Sequence, residues 1–458
     1  MSSAFHGIDL MSNALRAFQQ ELNVTGSNIA NVNTPGYSRQ TVDLTTQPPS
    51  IEYGLHQYAV GNGVTIADVT RIRDAFLEAR RQGAESGLQK ATNLTTNLSQ
   101  IQSLLQDANG TGISSDLDRF FNAWSGLASN PNDTGQRIAV QQAGSVLAQD
   151  VRQLYGDMSN MQTQLAGEVN STFDQIDQLA NKVDSLNKQI RAAAATGATP
   201  NDLLDQRDQA VQKLSGLTDL RTTTYGDGTV SVYVNQFTLV DSQGANAFPR
   251  TYNAAAGTVT DGNLTYQISS GGLAGLFQSQ TMLAGYQAQL DSLANNLRTQ
   301  VNTLHQTGTN SAGQTGLNFF NDANPQTGAV DFDLDPTIKA NAQAIAGGVS
   351  GNAGDGGVAL GISQLASTTV GGLGNKTFSD YYQQFVSQVG SDNTYYNNSL
   401  GVQKSVTTQI DQQIQSQSGV NLDDEMASML RYQRSYQAAA HVLSIFDQVT
   451  QDLVNLLH

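Results

Sequence analysis

Three kinds of residue pattern could do chemistry in this chain. Gly372-Leu373-Gly374-Asn375-Lys376-Thr377 has the outline of a loop whose backbone N–H groups cradle a phosphate while a Lys reaches it. Asn375 stands where that loop needs a glycine before the Lys, so the cradle fails. Asp331-Phe332-Asp333-Leu334-Asp335 opens like a calcium loop, with carboxylates at alternate positions. Pro336 then takes the place of the required Gly and Ala342 that of the bidentate Glu, so the oxygen cage stays incomplete. The histidines, at 6, 56, 305, 441 and 458, are scattered, and no His-Glu-x-x-His sets two on one helix face. No Gly-x-Ser-x-Gly elbow occurs. There is no cysteine, which removes thiolate nucleophiles, thiolate zinc sites and disulfides. Hence no catalytic set, cofactor or metal site is expected, and the chain reads as a non-enzyme.

Composition narrows the partners. The length of 458 residues allows roughly three domains. Charged residues are only 14% of the chain, and the polarity comes from Gln, Asn, Ser and Thr instead. A formal charge of -16 disfavours nucleic acid and anionic membrane, which both call for clustered Lys and Arg. The start, Met-Ser-Ser-Ala-Phe-His-Gly, has no basic segment followed by an apolar run and does not read as a secretory signal peptide. No eighteen-residue apolar stretch occurs, so no membrane insertion is expected.

The elements that must position anything functional are long helices. Ile8, Leu15, Leu22 and Ile29 recur every seven residues, with Met11, Phe18, Thr25 and Val32 three later. That heptad predicts a coiled-coil helix, ended by Pro35 and Gly36. A second amphipathic helix closes the chain, carrying Leu422, Met426, Met429, Tyr436, Ala439, Val442, Phe446, Val449, Leu453 and Leu456. Asn421 with Asp424 predicts a capping box at its start. The two ends are expected to pair, with the rest of the chain looped out between them.

Between the ends, residues 41–70 read as an extended hairpin, and Asp68 to Ala108 as a helix. Arg71, Arg73, Arg80 and Arg81 cluster there, as a solvated face or as a contact with an acidic neighbour. Leu117, Phe120, Phe121 and Trp124 read as a core helix, and Gln136 to Ala195 as a helix about 90 Å long. Asn201 to Leu214 is helical. Residues 216–275 carry two hairpin-turn signals and are expected to form one small inserted β domain. Leu283, Leu290, Leu297 and Leu304 restore a heptad. Residues 306–375 suggest short strands at Phe319-Phe320 and Val330 to Leu334, and short helices at Ile338 to Ala346 and Val358 to Ala366. A last long helix runs from Thr377 to Gly419. The fold class is mainly α with a β-rich insert.

The ends also carry a family resemblance. Asn28-Ile29-Ala30-Asn31-Val32-Asn33-Thr34-Pro35-Gly36-Tyr37 resembles the signature of bacterial flagellar rod, hook and hook-associated proteins. Its extension, Ser38-Arg39-Gln40, is similar to the form found among the hook-associated members. Ser418-Gly419-Val420-Asn421-Leu422-Asp423-Asp424-Glu425, Tyr432-Gln433 and Tyr436-Gln437-Ala438-Ala439-Ala440 resemble the same group's C-terminus, with Asp424 where members carry Glu. The match covers about eighty residues. It implies a structural subunit of the flagellum at the junction of hook and filament, secreted through the flagellum's own export channel. It implies an inner-tube domain from 1–40 and 419–458, a long-helix rod domain from 41–215 and 276–418, and an outer β-rich insert at 216–275. The partners implied are further copies in a ring, the hook protein, the second hook-associated protein, and an export chaperone on the C-terminal helix. The stripe expected to bind them comprises Ile8, Leu15, Leu22, Ile29, Leu422, Met426, Tyr436, Val442, Phe446, Val449 and Leu453. A hook or rod subunit, or a ligand-binding module in the β insert, are the alternative readings.

Overall fold

A computed structural model describes residues 2–53, 57–105, 112–322, 328–350, 352 and 354–455. Helices dominate, and several small antiparallel sheets accompany them. The chain divides into two compact units, 1–88 with 174–248 and 403–458, and 89–173 with 249–402.

The first unit starts with α1 (Ser2–Ala30), which packs antiparallel on the last helix, α10 (Leu422–Asn455). Residues near the start of one meet residues near the end of the other. A Cβ on Gly7 would lie 2.7 Å from the Phe446 ring, so only glycine admits that ring. After α1 come β1 (Gln40–Thr46), β2 (Ser50–Tyr53), β3 (Gln57–Val60) and β4 (Val64–Arg71). β1 pairs antiparallel with β4, Gln40 opposite Arg71, with a bulge after Asp43, and β2 pairs with β3. This is the hairpin that the turn residues of 41–70 predict.

The remaining long elements follow in order. They are α2 (Ala75–Leu104), α3 (Ile113–Ser129), α4 (Thr134–Ala194) and α5 (Asn201–Leu217). α2 and α4 each supply residues to both units. In the first unit, α4 and α5 bury Ile176, Val183, Leu186, Ile190, Val211 and Leu214. A three-stranded sheet, β5 (Arg221–Thr224), β6 (Val230–Val234) and β7 (Phe237–Val240), adds Val230, Val232, Val234 and Leu239. Asn187 on α4 fixes the sheet. Its side chain donates to Val230 O at 2.7 Å and accepts from Val230 N at 3.1 Å.

The second unit holds β8 (Thr251–Asn253), β9 (Thr258–Asp261) and β10 (Leu264–Gln267) in their own sheet, then α6 (Gly271–His305). The single β domain expected over 216–275 is therefore two separate three-stranded sheets, one in each unit. Between them Pro249 lacks the N–H that a continuing strand would donate, and Asp177 on α4 captures the Phe248 N–H at 2.7 Å. The heptad on α6 is realised, with Leu283, Leu290 and Leu297 buried.

The stretch after α6 is mostly irregular. It includes α7 (Pro336–Ala340) and α8 (Gly357–Gln364) and leads to α9 (Phe378–Ser418). The strands expected at Phe319-Phe320 and Val330 to Leu334 reduce to one isolated bridge between Phe320 and Leu334. Polar side chains of α6 order this segment in place of a ladder. Asn302 accepts from Phe319 N and Phe320 N and donates to Phe320 O, at 3.0, 2.9 and 2.9 Å. Around it Phe120, Trp124, His305, Phe319, Phe320 and Phe332 form an aromatic core.

Candidate functional site

The signature residues sit where α1 gives way to β1. Asn31 closes the helix, donating its side-chain amide to Ser27 O at 3.0 Å. Thr34 Oγ1 donates to Asn31 Oδ1 at 3.1 Å. Tyr37 N donates to Thr34 O at 3.2 Å, closing a turn with Pro35 and Gly36 at its centre. Gly36 has φ +78°, as a type II turn requires. A Cβ there would also lie 2.2 Å from Gln209 Nε2, which donates to Pro35 O at 2.6 Å.

Asn28, 2% exposed, is the centre of the arrangement. Its Oδ1 accepts from Tyr37 Oη at 2.9 Å and Gln40 N at 3.0 Å. Its Nδ2 donates to Gln40 O at 3.0 Å and to Glu425 Oε2 at 3.1 Å. All four hydrogen bonds open to an amide side chain are made. Arg39 Nε donates to the other oxygen, Glu425 Oε1, at 2.6 Å, and Arg39 N donates to Ser418 O at 3.3 Å. The carboxylate of Glu425 is buried and both of its oxygens are held, the condition under which a buried charge is tolerated. Burial pushes the Tyr37 hydroxyl up, and Asp202, Asp205 and Glu425 push it the same way, so it stays protonated as a donor.

A second set ties the turn to α5. Ser38 donates through N and Oγ to Asp205, at 3.1 and 2.9 Å. Arg71 bridges Asp205 at 2.6 Å and Asp208 at 2.9 Å. Arg73 pairs with Asp208 and with Glu78, and Arg207 with Asp208. Burial alone would raise Asp208, but Arg73, Arg207 and Arg71 outweigh it and hold the carboxyl below its usual range. The cleft of about 250 Å³ beside this set is lined by Arg71, Arg73, Arg207, Glu78 and Asp208, charges that already satisfy one another. Of the arginines that read as a solvated face, Arg81 also pairs, with Asp411, while Arg80 lies over the Phe76 ring.

The other expected residues fall into three groups. Ala30, Asn33, Thr34, Pro35 and Gly36 face solvent, and nothing in the structure assigns Asn33 a role. Ile8, Leu15, Leu22 and Ile29 are half-buried. The buried side of α1 is instead Gly7, Ala17, Val24, Thr25 and Asn28. The seam against α10 is thus displaced from the heptad of large apolar residues. Small residues let two backbones approach closely, and a count of bulky side chains misses them. On α10, Tyr436 and Phe446 are half-buried, while Leu422, Met426, Val442 and Val449 are exposed. The side chain of Leu453 lies outside the described residues. Asn421 caps α10 by accepting from Asp423 N at 3.0 Å, and Asp424 stays exposed.

The chemical candidates take structural roles. Asp331 pairs with Arg298 at 2.8 Å, Asp333 with Lys339 at 2.9 Å, and Asp335 caps α7 through Thr337 N at 2.8 Å. Gly374 and Asn375, both at positive φ, form a tight turn inside a Val370–Lys376 bridge. Among the described residues no group of His, Asp and Glu could hold a metal ion, and no helix is long and apolar enough to cross a membrane. Sequence reasoning missed Asp205, Asp208 and the buried role of Glu425. The available signal was two acids three apart on α5 facing Arg71 and Arg73.

Three family models match the chain. A model described as the flagellar hook-associated protein FlgK helical domain matches residues 98–320. Those described as flagellar basal body rod FlgEFG protein C-terminal and flagella basal body rod protein match 411–456 and 8–37. The flagellar hook-associated protein 1 of Bacillus subtilis (strain 168) is 27% identical over 500 residues, covering 99% of each chain. That of Escherichia coli (strain K12) is 27% identical over 551 residues, covering 98% of this chain and 99% of its own. The solved structure of the flagellar hook junction protein FlgK from Burkholderia pseudomallei superimposes with a TM-score of 0.65 at 16% identity, over 73% of this chain and 99% of that one, which supports the fold.

Helical ends clasped through a rod-type signature define a structural protein of the flagellar axis, not an enzyme. Within that class, the chain belongs to the flagellar hook-associated protein 1 family.

Proposed function

We propose that this chain is a structural subunit of the bacterial flagellum that forms the junction between hook and filament after export. The observation that carries the reading is the clasp of Asn28 and Arg39 on Glu425, which makes one assembly element of two chain ends. It associates with other components of the flagellar axis. Its neighbours, on this reading, are copies of itself in a ring, the hook protein on one side and the second hook-associated protein on the other. The terminal helices line the inner tube, and the rest of the chain stands outside them.

The faces of α10 support this. At about 100° per residue, Leu422, Met426 and Leu430 fall on one flank of the seam, and Val442, Ile445 and Val449 on the opposite flank. Two different exposed apolar patches suit head-to-tail contacts between copies, which close into rings or continue as helical arrays. Before export, a chaperone groove covers the C-terminal patch, as amphipathic helices are commonly held.

The test is a deletion. Cells lacking the subunit should carry hooks without filaments and release flagellin monomers into the medium, and expression of this chain should restore swimming. Filaments of normal number on the deleted cells would overturn the reading.

A further inference from the structure

We infer that Met426 is an oxidation-sensitive contact residue, at which conversion of the thioether to a sulfoxide blocks assembly. The inference rests on the reading of α10 as a surface between subunits. Among the described residues Met426 is the one exposed methionine, at 54%. Met158 and Met161 are buried, and Met429, one turn on from Glu425 toward the seam, is half-buried. Met426 stands between Leu422 and Leu430, four residues from each, so its sulfur is the centre of one exposed apolar patch.

The chemistry needs only a peroxide as co-reactant. The sulfur attacks one peroxide oxygen, the S–O bond forms as the O–O bond breaks, and water leaves. The sulfur is oxidised by two electrons and the peroxide reduced by two. The product replaces an apolar, adaptable side chain with a polar, chiral one. Buried against a neighbouring subunit, its oxygen lacks the water that solvated it, which opposes docking. The half-buried and buried methionines are shielded, so the effect concentrates at one position.

The experiment uses the full purified chain and isolated hooks from cells lacking this subunit. Dilute hydrogen peroxide should add one oxygen to Met426 before Met158 or Met161, read by peptide mass spectrometry. Oxidised chain should bind hook ends about tenfold more weakly than untreated chain. Met426→Leu, which keeps the apolar patch, should bind equally well before and after peroxide. Equal binding of oxidised and untreated wild-type chain would overturn the inference and leave the junction reading intact. Loss of binding by treated Met426→Leu would overturn it too, because another residue would be responsible. Failure of untreated chain to bind hooks would sink both.

Discussion

Asn28 and Glu425 are joined by a 3.1 Å hydrogen bond across 397 residues of sequence. The same carboxylate holds Arg39 at 2.6 Å. The signature of the first forty residues is thus half of a contact whose other half stands at the start of the last helix.

Replacing Glu425 with Ala should destabilise the terminal pair by about 2 kcal/mol, because it strands the Asn28 amide and leaves Arg39 without its counterion. The Gln variant keeps an acceptor for Asn28 and should lose less. Limited trypsin digestion checks this: the first forty and last forty residues should be released fastest from the Ala variant. Equal rates for Ala and wild type would refute the clasp.

Gly36→Ala should cost about 1–2 kcal/mol from the positive φ alone, with a further loss from collision with Gln209. Pairing it with Gln209→Ala should recover the collision part only. Urea unfolding of the single and double variants separates the two contributions.

His305 predicts a pH dependence in the second unit. Its Nδ1–H donates to Leu317 O at 2.6 Å, and Nε2 accepts from Ala346 N at 2.9 Å, so the ring is built in neutral. Burial takes its pKa down to about 4, outweighing the Leu317 carbonyl and Asp335, which act the other way. The unfolded chain, with an ordinary imidazole near 6.5, binds more protons between those values. Stability from this residue is therefore full above about pH 6.5 and falls by about 3 kcal/mol as the pH drops to 4. Trp124, 6.1 Å from the ring, reports the transition by fluorescence, and His305→Phe should flatten the slope.

Changing Phe446, Val449 and Leu453 together to Asp should abolish both capture by the export chaperone and assembly. Co-purification of the triple variant with the chaperone at wild-type yield would place the chaperone site elsewhere.

Periodicity made much of this structure legible. The Gln136 to Ala195 pattern is realised as α4, and the leucine heptad as buried positions of α6, because bulky apolar residues at helical spacing leave few other ways to hide. What escaped was long-range or polar. Gly7 and Ala17 define the α1 seam by being small, which no hydrophobic count registers. Arg71 and Arg73 read as surface charges because their partners, Asp205 and Asp208, lie more than a hundred residues away. The segment after α6 is ordered by Asn302 and Arg298, single polar side chains with no periodic trace.

The distance along the chain between Asn28 and Glu425 also sets an order of events. A polypeptide leaving a narrow conduit amino end first presents α1 hundreds of residues before its mate. Contacts of such separation close late, since a long loop must be shut before they reward it. The clasp can snap only when transit is nearly finished, so completion of the journey itself licenses the subunit to lock.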